Sequence, residues 1–171
     1  MLRFNSDHKF KIMQIADTQE IPAVSPDTLS LINNALDREK PDLVIFTGDQ
    51  IKGYSKKFKK DPAIIESTID ILVEPIAKRN IPFMVTYGNH DAQCGIDNRG
   101  QYKFYAKYDN FISGDLRNAD DVGTADIQIY SSTEDKPVFE LYIIDSHGKA
   151  KDGAGLSLIH ISEPTRPRLI S

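Results

Sequence analysis

The stretch Ile81 to Asp91, Ile-Pro-Phe-Met-Val-Thr-Tyr-Gly-Asn-His-Asp, joins an apolar segment to a polar cluster, and it has two earlier counterparts. Asp17-Thr18-Gln19 follows the apolar segment Phe10 to Ala16, and Gly48-Asp49-Gln50 follows the segment Asp42 to Thr47. Helical patterns separate these segments, which predicts a βαβαβ unit with buried strands in a largely parallel sheet. Because ligands bind beyond the carboxyl ends of strands in open α/β sheets, we expect the three polar clusters to form one site.

Two helices are predicted between these strands. The first begins after Ser25 as N-cap, with Pro26 at its first position, and ends at Lys40-Pro41 because proline disfavours a helical residue before it. The second begins near Asp61-Pro62, and Pro75 is expected to kink its last turn.

The region beyond the third strand predicts one more helix and a hairpin. Gln101 to Phe111 is rich in aromatic residues and is predicted to be helical. Thr124 to Ser131 and Lys136 to Asp145 are predicted strands, joined by a turn at Thr133-Glu134-Asp135. This α/β order fits a single globular domain.

The polar residues after the three strands are suited to binding metal ions. Asp17 and Asp49 offer anionic oxygens, Gln19 and Asn89 offer neutral oxygens, and His90 offers a nitrogen or a proton. Oxygen and imidazole ligands suit Mn, Fe or Zn, and two neighbouring carboxylates repel each other unless a cation lies between them. Each cluster taken alone could instead be an ordinary turn or helix cap. A nucleotide-binding domain without metals is disfavoured because no Gly-x-Gly-x-x-Gly or P-loop run is present.

The order Asp-x-Gln, Gly-Asp and Gly-Asn-His-Asp resembles the calcineurin-like metallophosphoesterase family, in particular its branch related to purple acid phosphatases, over about residues 8 to 147. The resemblance implies the N-terminal part of a four-layer α/β/β/α sandwich. It also implies hydrolysis of phosphate mono- or diesters by a hydroxide that bridges two divalent metal ions. The family usually carries Asp-x-His in its first motif, and Gln19 replaces that imidazole with an amide oxygen, a harder and weaker ligand.

The resemblance also implies a role for each site residue. Asp17 would ligate the first metal with Gln19 beside it, Asp49 would bridge both metals, and Asn89 would ligate the second. His90 would act as general acid without binding metal, and Asp91 would orient its ring. The predicted site therefore comprises the metal ligands Asp17, Gln19, Asp49 and Asn89 and the catalytic pair His90 and Asp91.

The family's remaining ligands, two further histidines and a last Gly-His-x-His element, have no match in this sequence. His147 follows a predicted strand, and a loop position is favoured for it over a ligand role. We therefore expect the chain to be an N-terminal fragment that hydrolyses phosphate esters poorly or not at all by itself. The alternative is a phosphate-ester binding or regulatory module with a degenerate metal site, which Gln19 supports.

Residues 156 to 171 are predicted to be a non-native tail. The run from Leu156 to Arg166 resembles, residue for residue, the in-frame translation of a common transposase sequencing adapter, and the residues after it fit the rest of that adapter. We exclude this segment from fold reasoning, as any fusion scar would be. A partial phosphoesterase domain is then predicted over residues 1 to 155.

Composition limits the partners of the chain. Its 171 residues carry a net charge of −4, which does not suggest nucleic acid, and a small phosphorylated substrate is expected instead. The single cysteine, Cys94, excludes an internal disulfide framework. No membrane-spanning stretch is present and Met1 to Lys11 lacks an apolar signal core, so a cytoplasmic location without membrane contact is the default expectation.

The run from Lys52 to Lys60 contains five lysines. It is either a solvated loop beside the predicted site or a positive segment that helps to collect an anionic substrate.

Overall fold

The computed structural model describes residues 1–113 and 122–146, so His147 and the predicted tail lie outside the described residues. The elements in chain order are β1 (Leu2–Arg3), β2 (Ile12–Ile15), α1 (Pro26–Glu39), β3 (Leu43–Thr47), α2 (Pro62–Ala77), β4 (Phe83–Thr86), α3 (Asn98–Ala106), β5 (Ala125–Tyr130) and β6 (Pro137–Ile143). Two short 3-10 turns, Lys56–Phe58 and Asp91–Cys94, follow β3 and β4.

The predicted parallel sheet is confirmed, with strand order β2-β3-β4 and every pair parallel. β3 and β4 are almost entirely buried, as expected. β2 is not, because it lies at the edge of the described sheet, and its residues alternate between exposed and half-buried. The expectation of a buried first strand is therefore wrong for the described structure.

The two crossover helices begin where the sequence predicts. The Ser25 hydroxyl accepts a hydrogen bond from the Asp27 N–H, and the Asp61 carboxylate accepts one from the Ala63 N–H. These side chains satisfy backbone donors that would otherwise lack partners in the first helical turn. α1 ends at Glu39, and the next residue, Lys40, caps it in the left-handed conformation.

The third helix begins three residues earlier than predicted and ends at Ala106. Asp97 caps it by accepting a hydrogen bond from the Gly100 N–H at 2.7 Å. Beyond the helix the chain turns back to the sheet, since the Phe83 N–H donates to the Asn110 carbonyl and the Phe83 carbonyl accepts from the Ile112 N–H. The last residues of the predicted helix therefore form backbone hydrogen bonds with β4 instead of continuing the helix.

The predicted hairpin is confirmed as the antiparallel pair β5–β6, and it forms a second sheet of order β1-β5-β6. β1 pairs in parallel with β5 through Leu2 and Arg3. The sequence analysis missed β1, because two residues are too few to show an alternating pattern.

The core divides at the parallel sheet. On one face Val44 and Phe46 pack with the buried stripe of α2, which includes Ile69 and Leu72. On the other face Leu43, Ile45 and Met84 pack with Ala125, Ile127 and Ile143 of the second sheet. The described residues thus form three layers: the helices, the parallel sheet and the second sheet. This arrangement leaves the carboxyl ends of the parallel strands free for a site.

No helix within residues 1–113 and 122–146 has both the length and the apolar character needed to cross a bilayer.

Candidate active site

Backbone hydrogen bonds join the loop after β2 to the loop after β3. The Asp17 N–H donates to the Gly48 carbonyl at 3.0 Å, and the Gln19 N–H donates to the Asp49 carbonyl at 2.9 Å. Asp17, Gln19 and Asp49 all adopt the left-handed conformation, with φ of 53°, 43° and 53°. Six other non-glycine residues among those described share this conformation, so it defines the shape of the two loops and does not by itself mark a site.

The loop after β4 meets the loop after β3 through two glycines. A Cβ atom on Gly48, whose φ is 107°, would lie 2.5 Å from the Gly88 nitrogen. A Cβ atom on Gly88 would collide with the Asp49 carboxylate and lie 2.6 Å from the Asp49 nitrogen. Both positions therefore require glycine for the loops to approach each other.

Replacing Gly48 with alanine is expected to lower the free energy of unfolding by about 2–4 kcal/mol, because strain and a backbone collision add. Urea denaturation of the 171-residue chain measures it. Gly100→Ala is the comparison variant, because an added Cβ atom there meets side-chain atoms, Cγ2 of Ile96 and Oδ1 of Asp97, whereas at Gly48 it meets backbone atoms at a positive φ. The loss at Gly100 should be smaller, since side chains shift more easily than backbone, and an equal loss at both positions would contradict the argument from backbone crowding.

The buried Asp91 side chain connects the loop after β3 to the loop after β4. Its side chain is 1% exposed. Its carboxylate accepts hydrogen bonds from the backbone N–H groups of Asp49 and Gly88, both at 2.7 Å, and of Ile51 at 3.4 Å. The carboxylate therefore holds the backbone on which Asp49 is carried.

Gln50 completes the surroundings of Asp91. With its amide oriented to suit its neighbours, the Gln50 Nε2 donates to both Asp91 oxygens at 3.2 Å, and its Oε1 accepts from the Gly48 N–H at 2.7 Å. Burial raises the pKa of the Asp91 carboxyl to about 6, while the backbone donors of Gly88, Asp49 and Ile51 act in the opposite direction.

Asp49 is itself nearly buried and is bonded to the His90 backbone. Its Oδ1 accepts a hydrogen bond from the His90 N–H at 2.8 Å. Among the hydrogen bonds of residues 1–113 and 122–146, its Oδ2 accepts none. That oxygen is the one that a cation could take, since hard divalent cations prefer carboxylate ligands.

The His90 ring is half-buried, and its neighbours differ from those expected. Nδ1 lies 3.1 Å from Oε1 of Gln93, whose Nε2 donates to the Asn89 carbonyl at 3.1 Å. The Tyr54 ring packs edge-on against the imidazole with the ring centroids 4.8 Å apart. We expected Asp91 to orient this ring; its carboxylate is bonded to backbone N–H groups instead, and Gln93 lies beside Nδ1.

Sequence reasoning missed Gln93 and Tyr54. The spacing of His90 and Gln93 was the available signal, because residues three apart lie above each other in a 3-10 turn. Such a turn occupies Asp91–Cys94. The contact of Tyr54 with His90 carries no local signal, since it depends on how two loops pack.

The described residues offer candidate ligands for a metal ion. Asp17 is exposed, while Gln19 and Asn89 are half-buried, and all of them follow the ends of neighbouring parallel strands. Their oxygens suit hard or borderline divalent ions. Within the described ranges, no group of three or more His, Cys, Asp or Glu residues is arranged to hold a metal ion. The donor set fits the chemistry of such an ion but is too short to enclose one.

Comparison with known proteins gives several relatives of this chain. It is 28% identical to "Probable inactive purple acid phosphatase 14" of Arabidopsis thaliana, over 90% of the chain and 44% of that protein. It is 33% identical to "Phosphatase DCR2" of Saccharomyces cerevisiae, over 85% of the chain and 28% of that protein. The chain thus spans less than half the length of these relatives.

A solved structure shares the fold. It is a dimetal phosphatase from Danio rerio, with a TM-score of 0.54 and 16% identity over 85% of this chain and 48% of that one. The likeness supports the calcineurin-like α/β architecture expected from the sequence.

The family model described as "Calcineurin-like phosphoesterase" matches residues 10–166. The match extends past Leu156, where the adapter-like segment begins, and the non-native origin of that segment stays a prediction. The matched region includes every residue of the predicted site, and it covers far more than half of the sequence. The chain belongs to the calcineurin-like phosphoesterase family.

Proposed function

We propose that this chain is the N-terminal part of a dinuclear metal-dependent phosphoesterase that hydrolyses phosphate mono- or diesters of small molecules. The observation that supports this most directly is the hydrogen bond from the His90 N–H to the Asp49 carboxylate. It holds the His90 backbone beside the Asp49 carboxylate, which supports the roles proposed for these two residues. Family membership supports metal-dependent phosphoester hydrolysis in general.

The oxygens of Asp17, Gln19, Asp49 and Asn89 would hold two divalent ions, drawn from Mn, Fe or Zn. When bound, these ions supply positive charge to the phosphoryl oxygens and lower the pKa of water. The short donor set implies that further ligands come from outside the described residues. For that reason we expect the 171-residue chain alone to hydrolyse phosphate esters poorly.

His90 would donate a proton from Nε2 to the leaving oxygen of the ester. Oε1 of Gln93 accepts from Nδ1–H, which stabilises the tautomer that is left once Nε2 has given up its proton. The bond from the Gln93 Nε2 to the Asn89 carbonyl holds that amide with its oxygen towards the ring. Tyr54 covers another side of the imidazole and limits its rotation.

The test is His90→Ala in the longer protein from which this chain derives. We expect kcat to fall by about 10²–10⁴-fold, because a general acid contributes on that order, and metal content to stay nearly unchanged. Hydrolysis of an aryl phosphate and elemental analysis of the purified protein measure the two quantities.

His8→Ala is the matched control, since His8 is exposed and its Nδ1 is hydrogen-bonded to the hydroxyl of Ser132, in the turn between β5 and β6. It should leave both quantities unchanged. Loss of metal from the His90 variant would show that the ring is a ligand and not an acid.

A second candidate is a phosphate-ester binding or regulatory module with a degenerate metal site. The short donor set favours it, as does the fact that one of the relatives is named inactive. Turnover by the longer protein loaded with Mn²⁺ separates the two functions. Tight binding of inorganic phosphate without any turnover would favour the module.

A further inference from the structure

The segment from Lys52 to Lys60, here called the basic loop, has a fixed shape. Phe58 anchors it in the core with 1% of its side chain exposed. The Ser55 hydroxyl accepts a hydrogen bond from the Lys57 N–H and starts the 3-10 turn. Lys59 and Lys60 then adopt the left-handed conformation, with φ of 52° and 55°. An unstructured solvated run of lysines would show none of these features.

A cavity of about 380 Å³ lies between the basic loop and the segment Gln93-Cys94. Three lysines line it, and its remaining walls are largely neutral: the lining includes Lys56, Lys59, Lys60, Tyr54, Phe58 and Cys94. Among the residues that the structure describes, no carboxylate lines the cavity. Within residues 1–113 and 122–146, none of the five lysines of the basic loop forms an ion pair. The cavity therefore carries positive charge that no described side chain neutralises.

The cavity shares its wall with the candidate active site. Tyr54 and Gln93 both line the cavity, and both contact the His90 ring. The Lys52 Nζ lies 5.3 Å from the centre of the Tyr54 ring. Gly53 packs so closely on the His90 carbonyl that a Cβ atom there would collide with it. A substrate group in the cavity and another beside His90 would therefore be separated only by the thickness of one side chain, that of Tyr54 or of Gln93.

We propose that this cavity is a subsite for a second oxyanion of the substrate, so that the substrate is a small phosphoester carrying another phosphate or carboxylate group. The inference rests on the proposed function, because it takes the scissile phosphoester to lie beside His90. Lysine ammonium groups bind phosphate and carboxylate as point charges without a fixed geometry. A cavity of this volume accepts a small-molecule group.

Binding to the cavity is tested first on the 171-residue chain, without metals, by titrating inorganic phosphate at 150 mM salt and recording backbone amide NMR spectra. We expect shifts in the amides of Gly53 to Lys60 and Gln93 to Gly95. The triple variant Lys56→Gln, Lys59→Gln, Lys60→Gln should bind phosphate roughly tenfold more weakly, since each exposed charge contributes modestly.

The control variant carries Lys9→Gln, Lys78→Gln and Lys103→Gln, which removes the same net charge from exposed lysines elsewhere. It should bind phosphate as the unaltered chain does. The triple variant Lys56→Arg, Lys59→Arg, Lys60→Arg should retain binding. Equal weakening in the control variant, or shifts away from the cavity, would overturn the subsite and show general charge attraction only.

The second arm uses the metal-loaded longer protein and three alkyl phosphates that end in a hydroxyl, a carboxylate or a second phosphate. We expect kcat/KM to be about tenfold higher for the two substrates that end in a carboxylate or a second phosphate, and the lysine triple variant to lose that preference through KM. The arm also tells which oxyanion the cavity prefers. Equal kcat/KM for all three substrates would overturn the subsite. Absence of any turnover would count against the proposed function, and the phosphate titration would then decide the cavity by itself.

Discussion

Asp91→Ala is expected to lower the free energy of unfolding by about 3–5 kcal/mol, one of the largest losses available to a single substitution in this chain. The variant leaves the backbone N–H groups of Asp49, Gly88 and Ile51 buried without their acceptor. Each such unsatisfied donor costs about 1–3 kcal/mol, and relaxation of the loops recovers part of that cost. Urea denaturation of the 171-residue chain followed by circular dichroism measures it.

Asp61→Ala is the matched control, because this exposed carboxylate accepts from one backbone N–H at the start of α2. Loss of such a cap costs about 1 kcal/mol. Asp91→Asn should fall between the two variants, since the amide keeps one acceptor and turns an N–H group towards the other donors. Equal losses for Asp91→Ala and Asp61→Ala would show that Asp91 does not organise the loops.

Asp49→Asn in the longer protein is expected to remove both bound metal and activity. The amide preserves the shape of the side chain and an acceptor for the His90 N–H, so the fold should persist. It lacks the negative charge that would let one group bridge two cations. The fall in kcat/KM should therefore exceed the about 10²–10⁴-fold expected for loss of a general acid. Elemental analysis and hydrolysis of an aryl phosphate give the two readouts.

Asp42→Asn makes the same chemical change at the opposite end of the same strand, where Asp42 accepts from the Lys11 N–H and the Asn5 amide. It should leave metal content and kcat unchanged. If Asp49→Asn kept its metal while losing activity, Asp49 would act on the substrate and not as a bridging ligand.

The sequence predicted the parallel sheet and both crossover helices because their signals are local. Ser25 and Asp61 cap helices wherever those helices pack, and a run such as Leu43–Thr47 is apolar enough to be buried on both faces. The exposure of β2 was not predictable, since it depends on which strand, if any, lies beside it. β1 was missed because its pairing with β5 joins residues more than a hundred positions apart.

The positions of the candidate site residues were predicted more completely than their contacts, and the roles of these residues stay predictions. Motif spacing placed Asp17, Asp49 and Asn89 at the carboxyl ends of neighbouring strands, and the structure has them there. The bonds that Asp91 makes could not be read in the same way, because a carboxylate beside a histidine in sequence has many possible donors in space. Asp91 is buried where Gly48 and Gly88 bring two loops together, and its carboxylate is therefore surrounded by backbone N–H donors.

The left-handed backbone of Asp17, Gln19 and Asp49 restricts the mutational routes open to this centre. Asparagine, aspartate and histidine tolerate that conformation better than most residues, whereas a β-branched residue there is a true outlier. Threonine or valine would therefore be selected against at these positions even without any change in ligand chemistry. Histidine at position 19 lies within the permitted set, so glutamine and histidine can replace each other at this position without rebuilding the loop.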